Sequence, residues 1–443
     1  MSLTGDDLES TVLFDSREQD APVPETPTAL PRRTAQRPSS FAGHLMQRIL
    51  RAMGDPAIHV KLWNGDLITT SSLAPVAQVC IASPSTLAKL FSNPLLRFGE
   101  AYSAGAIGVD GDLTALLTEM YRALHDVRTH GANNRFVKHR SPSAHAHSLA
   151  AARDNIHHHY DMGNEFYALW LGATMAYTCA YFPTRDATLD EAQIAKMHHV
   201  SRKVRLRPGD RVVEAGCGWG TLALHMAKHY GARVTAFNIS REQISYARER
   251  AKAAGLAGQV EYIEDDYRNI GATPSDRYDA FVSIGMLEHV GVANYPELGR
   301  VIKRCLQPTG LGIIHTIGRN RPLPLNPWIE KHIFPGAYTP SLAEMMGIFE
   351  GAGLSVLDVE NLRLHYASTL REWRTLFEQS QARVAALFDD RFVRMWRLYL
   401  AGSEAAFVTG EMQLFQVVFT GGANNVIPWT RADLYREPTD GKM

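Results

Sequence analysis

What this chain lacks narrows its class before any motif is read. Its 443 residues hold only four cysteines, Cys80, Cys179, Cys217 and Cys305. They are widely scattered, show no metal-ligand spacing, and fit reduced thiols in a cytosolic protein. There is no excess of either charge, 46 basic residues standing against 46 acidic, so no global field draws the chain to nucleic acid. No apolar run is long enough to span a bilayer, and the N-terminus opens on acidic and polar residues rather than a secretory signal. A soluble or membrane-peripheral protein is expected. What remains is 45% hydrophobic, enough for a real core, and the length suggests two domains plus a tail.

Residues 1–40 are rich in Pro, Thr, Ser and charge and poor in large apolar side chains, a composition that cannot offset chain entropy and predicts disorder. Phe41, Leu45, Ile49 and Met53 then recur at intervals of four, with Arg48 and Arg51 between them. This reads as an amphipathic helix, packed on its own domain or lying on a membrane surface. Residues 41–125 form a small N-terminal α+β domain, and 126–154 a polar linker. Within that domain the glycine-rich run Phe98–Leu113 carries no phosphate-loop lysine.

From about residue 205 strand-like segments fall near 210–215, 232–237, 259–264, 278–284, 311–317, 354–359 and 414–420, mostly separated by helical patterns. Such alternation predicts a mostly parallel α/β sheet with helices on both faces, in a catalytic domain spanning 155–430 and followed by a tail, 431–443. The long helical gap from Leu364 to Glu411 carries Leu370, Trp373, Phe377, Met395, Trp396, Tyr399 and Phe407. An aromatic stripe of this kind is core, and here it is placed to cap the carboxyl ends of the strands, where open α/β sheets bind ligands.

The most informative run is Val212-Val-Glu-Ala-Gly-Cys-Gly-Trp-Gly220. A strand feeds an acidic residue, a Gly-x-Gly-x-Gly turn and then a helix, so that backbone can approach a nucleotide-like ligand. A dinucleotide fingerprint would want its third glycine where Thr221 stands and an acidic residue about 20 positions on. The second strand ends instead in Asn238, which suits S-adenosylmethionine (SAM) better than a nicotinamide.

Further segments accompany that turn: His159-Tyr-Asp-Met-Gly-Asn-Glu-Phe-Tyr167, Met175-Ala-Tyr-Thr-Cys-Ala-Tyr-Phe182, Gly285-Met-Leu-Glu-His-Val-Gly291, Ile314-His-Thr-Ile-Gly318, Leu364-His-Tyr-Ala-Ser-Thr-Leu370 and Gln413-Leu-Phe-Gln-Val-Val-Phe419. Together, over roughly residues 155–422, they closely resemble the cyclopropane-fatty-acyl-phospholipid synthase family, which includes the mycolic acid cyclopropane synthases. The resemblance implies a class I SAM-dependent methyltransferase fold, Rossmann-like with a mostly parallel seven-stranded sheet and a helical cap. It also implies a reaction. The SAM methyl goes to a cis double bond of a lipid acyl chain, a proton leaves that methyl, and a three-membered ring closes, with bound bicarbonate as base. An alkene is a poor nucleophile and a carbocation is trapped by water, so alignment and a dry, apolar pocket are both required.

Carried over by motif, Cys179, Glu288, His315 and Tyr366 would surround the bicarbonate, with Glu288 ending the fourth strand of the sheet and His315 in the fifth. Taken singly, a buried Glu-His pair is more often a structural hydrogen bond and Cys179 a small core residue. For SAM the resemblance points to Tyr177, Thr178, Gly216, Gly218, Gly220, Asn238, Gln243, Tyr267 and Arg268. Glu214 would accept a hydrogen bond from the turn or the cofactor amine, and Asp266 would meet the adenine, with Asp265 an equal candidate. The chain departs from the family pattern at Ser403, where a cysteine is common and was proposed as catalytic. That change argues against a thiolate mechanism and leaves the bicarbonate scheme intact. Asn238 stands for a threonine, and Thr178 for a serine. The triplet His157-His158-His159 invites a metal, but consecutive histidines cannot all face one ion on a regular element, and no metal is expected.

The implied partner is an unsaturated phospholipid, met by a cytoplasmic enzyme peripheral to the inner face of the membrane. The small domain would reach the bilayer or mediate a homodimer. A methylene- or methyl-branched product shares the first step and the motifs, and a catalytically silent lipid-binding protein is the reading from another class.

Overall fold

The computed structural model describes residues 38–130, 162–273 and 277–434. The expected tail at 1–40, the linker at 126–154, the histidine triplet and the end of the chain therefore lie largely outside the described residues.

Two sheets organise the chain. The smaller comprises β1 (His59–Leu62), β2 (Leu67–Ile68), β3 (Ala77–Ile81) and β4 (Ile107–Gly111), in the order β2-β1-β3-β4. Val60, Leu62, Val79, Ile81 and Ile107 alternate onto one face and pack with Met46, Leu50 and Leu116 from flanking helices. The helix Phe41–Ala52 forms where expected, but its buried residues are Gly43, Met46 and Leu50; of the stripe at 41, 45, 49 and 53, Ile49 packs partly against the same core and Phe41 is 85% exposed. The reason is geometric. A step of four residues overshoots a turn of 3.6, so a strict four-residue stripe drifts around the helix, whereas spacings of three and four hold one face.

The larger sheet holds β5 (Arg211–Ala215), β6 (Arg233–Asn238), β7 (Val260–Glu264), β8 (Tyr278–Ile284), β9 (Leu306–Gly318), β10 (Leu354–Asn361) and β11 (Gln413–Gly421), in the order β10-β11-β9-β8-β5-β6-β7. Strands β5 to β9 run parallel, and β11 lies antiparallel between β9 and β10. Burial on both faces explains the continuous apolar runs. Val212, Ala280 and Ile313 face one core with helices Leu189–Lys203, Thr221–Tyr230 and Arg241–Ala253. Val213, Phe281 and Ile314 face the other with helices Tyr295–Cys305 and Leu342–Phe349. Strand order reverses between β5 and β8, the switch point at which such sheets bind ligands.

The aromatic stripe is core of its own. Trp373, Phe377, Trp396, Tyr399 and Phe407 pack with Phe166, Tyr167, Trp170 and Leu414. Its carriers are helices Arg363–Gln379 and Asp390–Thr409. The second also grips the small sheet's domain, since Arg394 donates to the carbonyls of Tyr102 (2.7 Å) and Ile107 (2.8 Å).

Candidate active site

At the switch point the glycine turn opens onto a cavity of about 150 Å3. Gly216, Gly218 and Gly220 all have positive φ (+84°, +78° for the outer pair, +53° for Gly218), the left-handed region that favours glycine. Their surroundings differ. A Cβ on Gly216 would meet Met286 at 2.9 Å, and one on Gly220 would meet the Tyr262 hydroxyl at 2.5 Å and Ala247 at 2.7 Å, whereas at Gly218 nothing lies within 4 Å. Gly218 therefore faces open space, while Gly220 allows the following helix to close on β7 and is not among the lining residues.

Tyr177, Thr178, Glu214, Gly216, Gly218, Asn238, Gln243, Asp266, Tyr267 and Arg268 all line this one cavity. Asn238 and Gln243 are bonded to each other, Asn238 Nδ2 donating to Gln243 Oε1 (2.8 Å) and to the Gly218 carbonyl (3.3 Å). Asp266 caps its own turn, accepting from the Arg268 amide at 2.9 Å. Asp265 also lines the cavity and accepts from the Asp266 amide and the Asn269 side chain.

The segment 175–179 reaches the cavity from outside the sheet. Met175 sits at φ +54°, a conformation that a side-chain-bearing residue holds only when its surroundings impose it. Helix Leu189–Lys203 supplies the constraint. Gln193 Nε2 donates to the carbonyls of Ala176 (3.3 Å) and Thr178 (2.9 Å), and Lys196 Nζ donates to Thr178 Oγ1 at 2.8 Å. Opposite, the Tyr177 and Tyr399 hydroxyls bond at 2.8 Å, joining the segment to the aromatic cap.

Lys196 is a functional candidate that the motifs do not contain. It is buried, lines the cavity, and lies near the buried Glu214 carboxyl. Burial pulls the Lys196 ammonium down and pushes the Glu214 carboxyl up, and each opposes the other's shift. Its signal in the sequence is its place on the face shared by Leu189, Ala192, Gln193 and Val200, where an apolar residue would be ordinary. Glu214 Oε2 has no hydrogen-bond partner among the described residues, as expected of an acceptor that awaits a ligand donor.

The four proposed catalytic residues stand outside the cavity lining. Strand β8 ends at Ile284, so Glu288 lies not on the strand but in the single turn Leu287–His289 beyond it. The glycine at 285 (φ +73°) breaks the extended run and lets the chain fold back. Glu288 Oε1 accepts from the Ile317 amide at 2.7 Å. Ile317 pairs with Leu414, whose carbonyl accepts from the Leu362 amide (2.9 Å). The Leu362 carbonyl in turn accepts from the Tyr366 amide (3.2 Å) and lies 4.0 Å from Cys179 Sγ. Glu288, Tyr366 and Cys179 are thus linked through backbone hydrogen bonds that cross from the end of β9 to the start of β11 and the residue after β10. His315, two residues before Ile317, turns its ring toward Gln416 on β11, Nδ1 lying 3.0 Å from Gln416 Nε2.

The electrostatics of these groups follow from burial. The Glu288 carboxyl is pushed up to about 6, with the Ile317 amide partly opposing the shift. The His315 ring is held well below its usual range by burial and by the Lys196 and Lys203 charges. The Cys179 thiol is pushed up, and it donates to the Ala180 carbonyl at 3.1 Å. It is a thiol and not a poised nucleophile. Glu288 Oε2 and His315 Nε2 are both buried with no hydrogen-bond partner among the described residues.

The family described as mycolic acid cyclopropane synthetase matches residues 147–417, and a domain of unknown function matches residues 45–130. A probable fatty acid methyltransferase of Pseudomonas putida is 35% identical over 392 residues, 86% of this chain and 96% of its own length. The cyclopropane-fatty-acyl-phospholipid synthase of Escherichia coli is 38% identical over 268 residues, 60% of this chain and 68% of its own. Among solved structures, mycolic acid cyclopropane synthase complexed with SAH and CTAB superposes with a TM-score of 0.56 at 28% identity, covering 60% of this chain and 97% of that one.

Proposed function

The chain belongs to the mycolic acid cyclopropane synthetase family of class I SAM-dependent methyltransferases, and on that premise we propose that it builds a cyclopropane ring on the cis double bond of an unsaturated phospholipid acyl chain, with bound bicarbonate as base. The residues present fit both groups: the open side of Gly218 and the free Glu214 Oε2 suit SAM, while the unpartnered Glu288 Oε2 and His315 Nε2 suit a small oxyanion. When bound, SAM supplies an electrophilic methyl and bicarbonate a weak, compact base.

The chain's own residues supply position, dryness and proton handling. Tyr177 and Thr178, fixed from behind by Gln193, Lys196 and Tyr399, hold the cofactor side of the site. Trp170, Trp373 and Trp396 pack behind Tyr177 in the apolar core of the cap, which keeps that side of the site dry. Glu288, pushed up to about 6, can hold a proton near neutral pH and return it. His315 and the Tyr366 hydroxyl donate hydrogen bonds, and the Cys179 thiol fills the remaining side. The observation that carries the reading is the pair of unpartnered buried atoms, Glu288 Oε2 in the turn after β8 and His315 Nε2 on the neighbouring strand β9.

A methylene- or methyl-branched product is the second reading, and the likeness to a probable fatty acid methyltransferase over 86% of the chain favours it. The lipids of a host expressing the protein separate the two. All these products gain one carbon, but an exocyclic alkene takes up hydrogen under mild conditions and a ring does not, while a saturated methyl branch is heavier than the ring by two hydrogens. No methyl incorporation by well-folded protein would leave only lipid binding.

Residues 41–125 and 155–430 would form two domains, each with a sheet and a core of its own and joined through a shared aromatic cluster, and the enzyme would work on the cytoplasmic face of the membrane. No helix among the described residues is long and apolar enough to cross a bilayer. The small domain would serve as the bilayer contact or as a dimer interface.

A further inference from the structure

Gln416 carries no role in the reaction as proposed, yet it is fully buried and wired on both sides. Its Nε2 lies 3.0 Å from His315 Nδ1, and its Oε1 accepts from Lys203 Nζ at 2.7 Å. Lys203, itself 3% exposed, also donates to Glu360 Oε2 (2.5 Å), and the same carboxylate oxygen meets His199 Nε2 at 2.7 Å. An ammonium has only donors, so the amide atom facing Lys203 must be the oxygen. The amide nitrogen is then left to face the histidine. An amide NH2 can only donate, so His315 Nδ1 must accept, and a neutral imidazole carries its single proton on the other nitrogen. The atom so protonated is Nε2, the one that lacks a partner among the described residues.

We propose that Gln416, oriented by Lys203, is a positioning residue that locks His315 in the Nε2–H tautomer, so that the ring offers a donor to an oxygen-bearing ligand and cannot act as a base. This rests on the placing of His315 beside the reacting carbon. A ring with its lone pair turned inward would compete for the proton that must leave the methyl group, and would do so from a fixed side. The lock leaves that task to the anion. Burial first, then the Lys196 and Lys203 charges, with Glu360 opposing them and His199 adding a little, keep the ring neutral. The geometry is built into the sheet, because His315 and Gln416 are direct cross-strand partners in the β9–β11 ladder.

The test uses full-length protein labelled with 15N-histidine, the His315 signals being identified by their loss in His315→Gln. Two-bond proton–nitrogen spectra should show Nδ1 bare and Nε2 protonated across about pH 6 to 8. In Gln416→Glu the new carboxylate only accepts, so the proton should move to Nδ1, and methyl transfer to phospholipid vesicles should fall by about tenfold or more while SAM affinity holds. Lys203→Arg keeps a donor on Gln416 and should retain the wild-type tautomer. A wild-type ring protonated on Nδ1, or an unchanged tautomer in Gln416→Glu, overturns the lock. Should Gln416→Glu fail to fold, the wild-type spectrum alone decides. Full transferase rate in His315→Gln would instead refute the placing of His315 at the reacting carbon and leave the tautomer result standing.

Discussion

Lys196 Nζ and Thr178 Oγ1 lie 2.8 Å apart, both turned into the cavity that the glycine turn opens. The bond ties a helix inside the sheet's core to a segment that arrives from outside the sheet. It is charge-assisted, and its partner segment contains the left-handed Met175.

Replacing Lys196 by Met should therefore release Thr178 and leave the buried Glu214 carboxyl without its cation. SAM affinity should drop by about tenfold, the equivalent of one hydrogen bond to a charged group. Titration calorimetry on the folded variant measures this directly. Unchanged affinity would make Lys196 a purely structural residue.

Glu288→Gln keeps shape and removes the proton exchange. Transfer of labelled methyl to vesicles should slow by about a hundredfold or more, with SAM binding intact and no rescue by added bicarbonate. A near-normal rate would take Glu288 out of the mechanism.

The same substitution has a signature in stability. The Glu288 carboxyl is raised from 4.5 to about 6 by burial, so its favourable contribution is complete below about pH 4.5 and is lost as pH rises through about 6. Glutamine carries no such dependence. Between those limits and pH 7.5 the variant should gain on wild type by about 2 kcal/mol, read from denaturant midpoints in the two buffers. A constant gap would mean that Glu288 is not desolvated.

Gly218→Ala and Gly220→Ala should behave as opposites. The first places a methyl into open space at a cost of about 1–2 kcal/mol in backbone strain, but obstructs the cofactor and should weaken SAM by about tenfold or more. The second drives a methyl into Tyr262 and Ala247, and thermal melts should show it the less stable of the two by about 2 kcal/mol or more.

Phe41 is 85% exposed on a helix whose Met46 and Leu50 are buried. Phe41→Ser should leave stability within about 0.5 kcal/mol, and if that helix touches the bilayer, co-sedimentation with phospholipid vesicles should fall. Equal pelleting would confine the helix to a packing role.

The mostly parallel sheet was legible because its central strands are buried on both faces and read as apolar runs, from Val212-Val213 to the antiparallel Gln413–Phe419. That most residues expected around SAM would share one cavity was legible because they cluster at turns following β5, β6 and β7. Glu288 was read onto a strand because the apolar run through Met286 and Leu287 continues past Gly285, whose positive φ ends it. Lys196, Lys203 and Gln416 escaped notice for a different reason. Lys203 and Gln416 are 213 positions apart, and a buried lysine acquires meaning only from the acceptor that folding brings to it.

Helix Asp390–Thr409 holds the small domain through Arg394 and the cofactor segment through Tyr399. These contacts are five residues apart on one rigid rod. A single helix therefore anchors both the N-terminal unit and Tyr177, and loosening it would free both at once.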